Sequence, residues 1–379
     1  MYQQIEEYIL ELIRLSTPRR TAWNMEKIRE GRDVEWNYID GCMLTALTAM
    51  TDITGDMRYL DFVEEVADCF VQEDGSILTY RPEKQELDSI NEGRILFRMA
   101  EKTGKEKYRK AADRLRADLA AQPRTAEGNF WHKKVYPNQV WLDGTYMAMP
   151  FLALYEKHYG RGDYSDILKQ LRIIHGRMRD PKTGLYYHGY DCSREAFWAD
   201  PETGLSRNFW LRAMGWFSVA LADLIEILPE EGEERQELAG MLQELMESLL
   251  TFADEKTGMY WQVADQGGRP GNYLETSGSA MIAFAMLKGC RLGVLEDRFR
   301  EAGKKTFRGI TDNYLKIRDG MIVLENICLV AGLGPESKPH RDGSYEYYIS
   351  EPVVSNDAKG AAPFVLCYTE MRRLRNGEG

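Results

Sequence analysis

Thr54-Gly55-Asp56-Met57-Arg58-Tyr59 and Thr103-Gly104-Lys105-Glu106-Lys107-Tyr108 are two copies of one turn, in which a glycine ends one helical pattern and a tyrosine four residues on anchors the next. Tyr159-Gly160 with Tyr164 repeats it, and Leu292-Gly293 repeats the glycine alone. Glycine suits the position just past a helix because it enters the left-handed conformation without a Cβ clash. A second set of glycines lies at the far end of the following helix: Asp74-Gly75, Glu127-Gly128, Thr183-Gly184, Thr257-Gly258 and Asp319-Gly320. Each leads into a short apolar or aromatic stretch that reads as a brief strand. A third set, Asp40-Gly41, Asn91-Glu92-Gly93, Asp143-Gly144, Ser277-Gly278 and Lys359-Gly360, opens the next helix.

Between these marks, the segments 42–53, 94–102, 145–157, 215–228, 280–290 and 361–374 are apolar on more than one face, which predicts inner helices packed on both sides. The alternate segments 58–71, 106–120, 164–178, 234–252 and 294–314 are more charged, with one apolar stripe each, and read as an outer layer. An N-terminal helix over 1–15, with Ile5, Tyr8, Ile9, Leu12 and Ile13 on one face, supplies a sixth outer partner. The count closes if that helix pairs with the last one. The fold predicted is therefore all-α, an (α/α)6 toroid of six helical hairpins in one domain over 1–379, with short strands at one rim. An open solenoid would need a polar face on its last helix, and residues 363–366 read Pro-Phe-Val-Leu. In a ring of this kind the outer-to-inner loops, here 74–91, 127–143, 182–212, 256–277 and 319–358, emerge at one end, where a binding site belongs.

Composition narrows the partners. With 60 acidic against 49 basic residues the net charge is −11, which disfavours nucleic acid or an anionic membrane. The acidic amphipathic N-terminus is unlike a signal peptide, and no apolar run reaches the roughly 18 residues of a membrane span, so a cytoplasmic location is expected. The six scattered cysteines form no CxxC pair and read as reduced packing residues. Absence of GxxxxGK[ST], GxGxxG, HExxH and GxSxG patterns, and of zinc-like Cys/His spacing, leaves no expectation of a cofactor or metal.

The predicted loops hold Trp131, Trp141, Trp198, Trp210 and Trp261, with Trp216 just inside the next helix, so six of the eight tryptophans gather at one end. Aromatic faces beside polar groups suit sugar rings, the lesser alternative being that they merely plug the barrel mouth. Asp40, Asp88, Asp143, Asp191 and Asp357 lie at or before inner-helix starts, where aspartate also serves as a cap. Lys133, Arg207 and Arg212 are the basic candidates at that end, with His132 and His188; His158 and His175 fall within helices.

Six stretches, LDSINEGR (87–94), VWLDGTYMAMPFLALY (140–155), TGLYYHGYD (183–191), FWLRAMGW (209–216), ETSGSAMIAFAMLKG (275–289) and RDGSYEYYISEPVVSNDAKG (341–360), resemble glycoside hydrolase family 105 in order along the whole chain. These are the unsaturated rhamnogalacturonyl hydrolases, related to the unsaturated glucuronyl hydrolases of family 88. The resemblance implies an (α/α)6 barrel and Asp143 as proton donor and later base, with Asp88 a second carboxylate close by. It also implies His132, Lys133, His188, Trp210, Arg212 and Trp216 as substrate-binding residues, a small unsaturated oligosaccharide as partner, and a monomer or homodimer. Where the family tends to flank the arginine with glycine, this chain has Leu211 and Ala213, a change expected to alter the pocket's width and so the preferred aglycone. Arg212 is expected either to hold the uronate carboxylate, which its fork matches, or to orient the acid. A protonated Asp143 calls for a raised pKa, for which Asp88 and partial burial are the expected causes. Two alternatives stand beside this: an inverting glycosidase or sugar epimerase on the same toroid, the former needing carboxylates about 6.5–9.5 Å apart, and a non-catalytic carbohydrate-binding protein.

Overall fold

The computed structural model of the chain describes residues 2–377; Met1, at the head of the predicted first helix, lies outside them. Twelve helices alternate between two layers. The outer ones are α1 (Tyr2–Arg14), α3 (Met57–Phe70), α5 (Glu106–Ala120), α7 (Ser165–Met178), α9 (Glu233–Leu250) and α11 (Asp297–Tyr314). The inner ones are α2 (Tyr38–Thr54), α4 (Ile95–Thr103), α6 (Gly144–His158), α8 (Leu211–Ile227), α10 (Thr276–Arg291) and α12 (Ala358–Asn376). Burial follows the patterning. Every residue of α8 from Leu211 to Ile225, and of α10 from Thr276 to Cys290, is buried. Outer α5 buries only one stripe, Lys107, Tyr108, Ala111, Ala112, Leu115 and Leu119, at helical spacing.

Each inner helix packs on the next, α2 on α4 and its preceding turn, then α6, α8, α10 and α12, and α12 packs back on α2, so the ring closes. The N-terminal helix seals the seam as expected. The Tyr368 hydroxyl of α12 donates to Glu6 of α1 at 2.6 Å, Arg372 reaches the same carboxylate at 2.7 Å, and the rings of Tyr2 and Tyr368 lie 5.4 Å apart. Gly55 and Gly104 take left-handed φ values of +70° and +67°, as the turn motif requires. At the third copy Gly162, and not Gly160, has the positive φ.

Four inner helices begin three or four residues earlier than their apolar patterns: α2 at Tyr38, α8 at Leu211, α10 at Thr276 and α12 at Ala358. Their first turns include polar residues, Asp40, Arg212, Ser277 and Lys359, that interrupt the apolar repeat by which a helix is recognised in sequence. Short antiparallel strand pairs decorate the loops, Gln139–Trp141 with Gly189–Asp191, Leu315–Arg318 with Met321–Leu324, and Ile327–Cys328 with Val353–Val354. No helix among the described residues is long and apolar enough to cross a membrane. The cysteines are all unpaired, with Cys42, Cys290, Cys328 and Cys367 buried.

Candidate active site

One strand pair decides what Asp143 faces. Trp141 sits opposite Gly189, and the Leu142 amide donates to the His188 carbonyl at 2.9 Å, so Asp143 and His188 leave the ladder side by side. The carboxylate Oδ2 of Asp143 lies 3.3 Å from His188 Nε2. Asp143 occupies the N-cap position of α6 but with helical angles (φ −55°, ψ −37°) and no side-chain bond to the helix, so it is not a cap in the chemical sense. Oδ2 is buried without an aligned hydrogen bond, while the side chain stays 12% exposed through other atoms. His188 is held from behind, its Nδ1 2.8 Å from the Tyr348 hydroxyl. Burial keeps the Tyr348 phenol protonated, so it can donate to Nδ1 and leave the Nε2 hydrogen facing Asp143.

Asp88 approaches from the other side of His132. The chain over 86–88 bridges the chain at 132–133: Leu87 donates to the His132 carbonyl at 3.1 Å, and Glu86 pairs with Lys133 across an antiparallel bridge. That register brings Lys133 Nζ to 2.6 Å from Asp88 Oδ2 and His132 Nε2 to 3.5 Å from Asp88 Oδ1. Lys133 thus offsets much of the charge by which Asp88 was expected to act on Asp143. The opposite ring edge of His132 faces Gly144, where an added Cβ would meet Nδ1 at 3.2 Å. Burial, reinforced by Lys133, lowers the His132 pKa to about 3, so the imidazole is neutral.

Aromatic rings line the walls. His132 stacks on Trp141 at 4.5 Å, Tyr136 stacks on the same indole at 4.7 Å, and His188 lies 4.6 Å from Trp210. Trp216 stacks on Tyr146 at 4.7 Å and meets Tyr38 edge-on at 6.4 Å. The two positions where the chain lacks the family's glycines, Leu211 and Ala213, are fully buried, and Leu211 fills the space left by Gly278 of α10, whose added Cβ would lie 2.5 Å from Leu211 Cγ.

Arg212 is built into the frame. It is 1% exposed and donates through Nε to Ser277 Oγ at 2.8 Å, through Nη1 to the Leu329 carbonyl at 3.4 Å and through Nη2 to the Cys328 carbonyl. Glu275, itself fully buried, faces it at 3.6 Å while capping α10 through the Gly278 amide. This cluster ties the start of α8 to that of α10 and to the end of the Ile327–Cys328 strand.

The remaining aspartates are structural. Asp40 accepts from Thr21, Trp23 and Asn24, Asp191 from the 193–196 turn, and Asp357 caps α12 beside Lys359. Arg207 pairs with Asp342 at an exposed edge. His158 stacks on Phe97 and His175 bonds Tyr186. Sequence reading passed over Tyr348 and Glu275; both lie in quoted motifs, but nothing local marks their partners, which are 160 and 63 positions away in the chain for His188 and Arg212.

Comparisons with known proteins agree with this fold. A profile of Glycosyl Hydrolase Family 88 matches residues 16–375. A solved glycoside hydrolase from family 105 of C. acetobutylicum ATCC 824 is 42% identical, with a TM-score of 0.89 over 97% of this chain and 98% of that one. An unsaturated rhamnogalacturonyl hydrolase of Bacillus subtilis, YesR, is 26% identical over 269 residues, 69% of this chain and 72% of its own length. The unsaturated glucuronyl hydrolase of Bacillus sp. GL1, 16% identical with a TM-score of 0.68 over 100% of this chain and 97% of that one, shares the fold. A closed (α/α)6 ring with acid, imidazole and tryptophan gathered at its mouth, matched along nearly its whole length by that profile, makes this chain a glycoside hydrolase belonging to glycosyl hydrolase family 88.

Proposed function

We propose that the enzyme releases the unsaturated uronic acid from the non-reducing end of lyase-generated oligosaccharides, with unsaturated rhamnogalacturonan disaccharide as the preferred class, and that Asp143 is its acid and base. The observation that supports this is the Asp143 carboxyl itself: at a helix start yet capping nothing, half of it sealed against His188, in a mouth walled by aromatic rings. The substrate's C4–C5 double bond, conjugated to a carboxylate, makes C5 the oxygen-bearing carbon of an enol ether. Asp143 gives its proton to C4, whose bond to hydrogen takes the π electrons, and the positive charge left at C5 is shared with the ring oxygen. Water adds at C5 and returns a proton to the Asp143 carboxylate. The resulting hemiketal opens, leaving a ketone at C5 and a hemiacetal at C1 that expels the neighbouring sugar. One residue acting twice suffices, so the pair of carboxylates of an ordinary glycosidase is not required. His188 positions that residue, and Trp210 and Trp216 supply faces for the sugar ring. The aglycone assignment draws on the activity named for the Bacillus subtilis relative.

The test is a panel of unsaturated disaccharides differing in the aglycone, followed by loss of the conjugated double bond's ultraviolet absorbance. The unsaturated galacturonyl-rhamnose disaccharide is expected to give the highest kcat/KM. Saccharide binding with no loss of absorbance on any member would refute the hydration chemistry and favour a non-catalytic binder.

A further inference from the structure

The substrate class proposed above brings a carboxylate into a mouth already holding Asp143 and Asp88, so a cation must meet it. Most basic side chains around the mouth are already matched. Lys133 is bound by Asp88 at 2.6 Å with Glu86 at 3.7 Å, and Arg212 by Glu275, Ser277 and two carbonyls. Lys359 lies 2.7 Å from Glu26 and 3.1 Å from Asp357, Arg207 3.5 Å from Asp342, and Arg269 2.8 Å from Glu346.

Arg341 is different. It is half-buried, and among the described residues no carboxylate comes within ion-pair distance of its guanidinium, whose Nε is buried with no acceptor. Its backbone is clasped, with the amide donating to the Lys338 carbonyl at 3.0 Å and the carbonyl accepting from Gly334 at 2.8 Å, so the loop fixes the point from which the side chain leaves. The guanidinium lies against Gly332. A Cβ added there would meet Trp141 at 3.3 Å and Arg341 Nη1 at 3.4 Å, so glycine keeps the space between cation and indole free. The same Gly332 donates its amide to the Tyr347 hydroxyl at 2.9 Å. Trp141, in turn, stands edge-on to His188 at 5.6 Å, and His188 faces Asp143. A half-buried arginine with no carboxylate at ion-pair distance among the described residues, one indole away from the acid, is a charge the folded chain leaves open to a ligand.

We propose that Arg341 receives the carboxylate of the unsaturated uronyl ring, and so makes the enzyme prefer the free acid over its ester. This rests on the function proposed above. It also assigns Arg212 to holding the frame and leaves recognition of the substrate's charge to the 329–343 loop.

The experiment compares wild type, Arg341→Gln and Arg341→Lys on an unsaturated disaccharide and on its uronate methyl ester, measuring KM and kcat by absorbance loss and folding by melting temperature. A hydrogen-bonded charge pair of this kind corresponds to a change on the order of 10- to 100-fold. Arg341→Gln is expected to raise KM for the acid by that factor with kcat changed far less, and Arg341→Lys to recover part of it. On the ester, wild type should already show the loss and Arg341→Gln should add little, because the two changes remove one interaction. An unchanged KM for the acid, or equal losses on acid and ester in a folded Arg341→Gln protein, overturns the assignment. Wild type that consumes neither substrate overturns the proposed function itself, and this inference with it.

Discussion

Replacing Asp143 with asparagine separates a catalyst from a helix cap. The amide has nearly the shape of the carboxylate, and the side chain makes no bond to the start of α6, so no cap is lost. Its Oδ2 has no aligned hydrogen bond to forfeit, only the 3.3 Å approach to His188. The stability cost is therefore expected to stay below about 1 kcal/mol. In a chain of this size that is a melting-temperature shift of about 2 °C or less. Asparagine can neither deliver the proton to C4 nor take one from water. Loss of a general acid/base lowers turnover by roughly 10²–10⁴-fold, which at 1.36 kcal/mol per decade is about 3–5 kcal/mol of barrier. Affinity for the disaccharide should persist, since Trp210, Trp216 and Arg341 are untouched. The assay pairs absorbance loss with calorimetric binding and a thermal melt on the same preparation. Turnover within about tenfold of wild type would remove Asp143 from the chemistry, and loss of activity through unfolding would return it to a structural role.

Arg212→Met should destabilise the protein by about 3–5 kcal/mol in urea titration, because it strands the buried Glu275 without its cation; a folded, stable variant with a raised KM would instead mark Arg212 as a substrate ligand. Glu92 is fully buried, accepts from the Asn37 amide at 2.7 Å, and is pushed well above the usual carboxylate range by burial, with Asp40 adding to the effect. A folded-state pKa above the unfolded one contributes stability that is full below the unfolded value near 4.3 and is lost as pH rises through the folded value. Glu92→Gln should therefore gain melting temperature relative to wild type as pH rises from about 4.3 towards the folded value, and parallel curves for the two across that range would contradict a proton held on Glu92. Gly41→Ala should cost about 1–3 kcal/mol in a thermal melt, since its Cβ would lie 2.6 Å from the Glu92 backbone where α2 crosses the turn before α4; a neutral effect would mean that this part of the ring yields easily.

Most of the architecture was legible along the chain. Alternation of doubly apolar and singly striped helices is a local property, and the Gly55 and Gly104 turns mark where each pair folds back, so the ring and the end that bears its long loops follow from periodicity. The same logic put Asp143, His188, Trp210 and Trp216 at one rim. Which groups are bonded to which was decided only by closure. Arg212, set beside two tryptophans in sequence, is claimed by Ser277, 65 residues on, and by the Cys328 carbonyl, 116 residues on. His188 is fixed by Tyr348 across 160 residues, and Asp88 is met by Lys133 through a bridge between two loops. Periodicity is set by neighbours within a turn or two of helix, whereas a charge's partner depends on which loops fold over the same mouth. Helical spacing along the chain therefore reveals the barrel and the residues at its rim, whereas the folding of distant loops over one mouth binds Arg212 into the frame and leaves Arg341 with no carboxylate at ion-pair distance among the described residues.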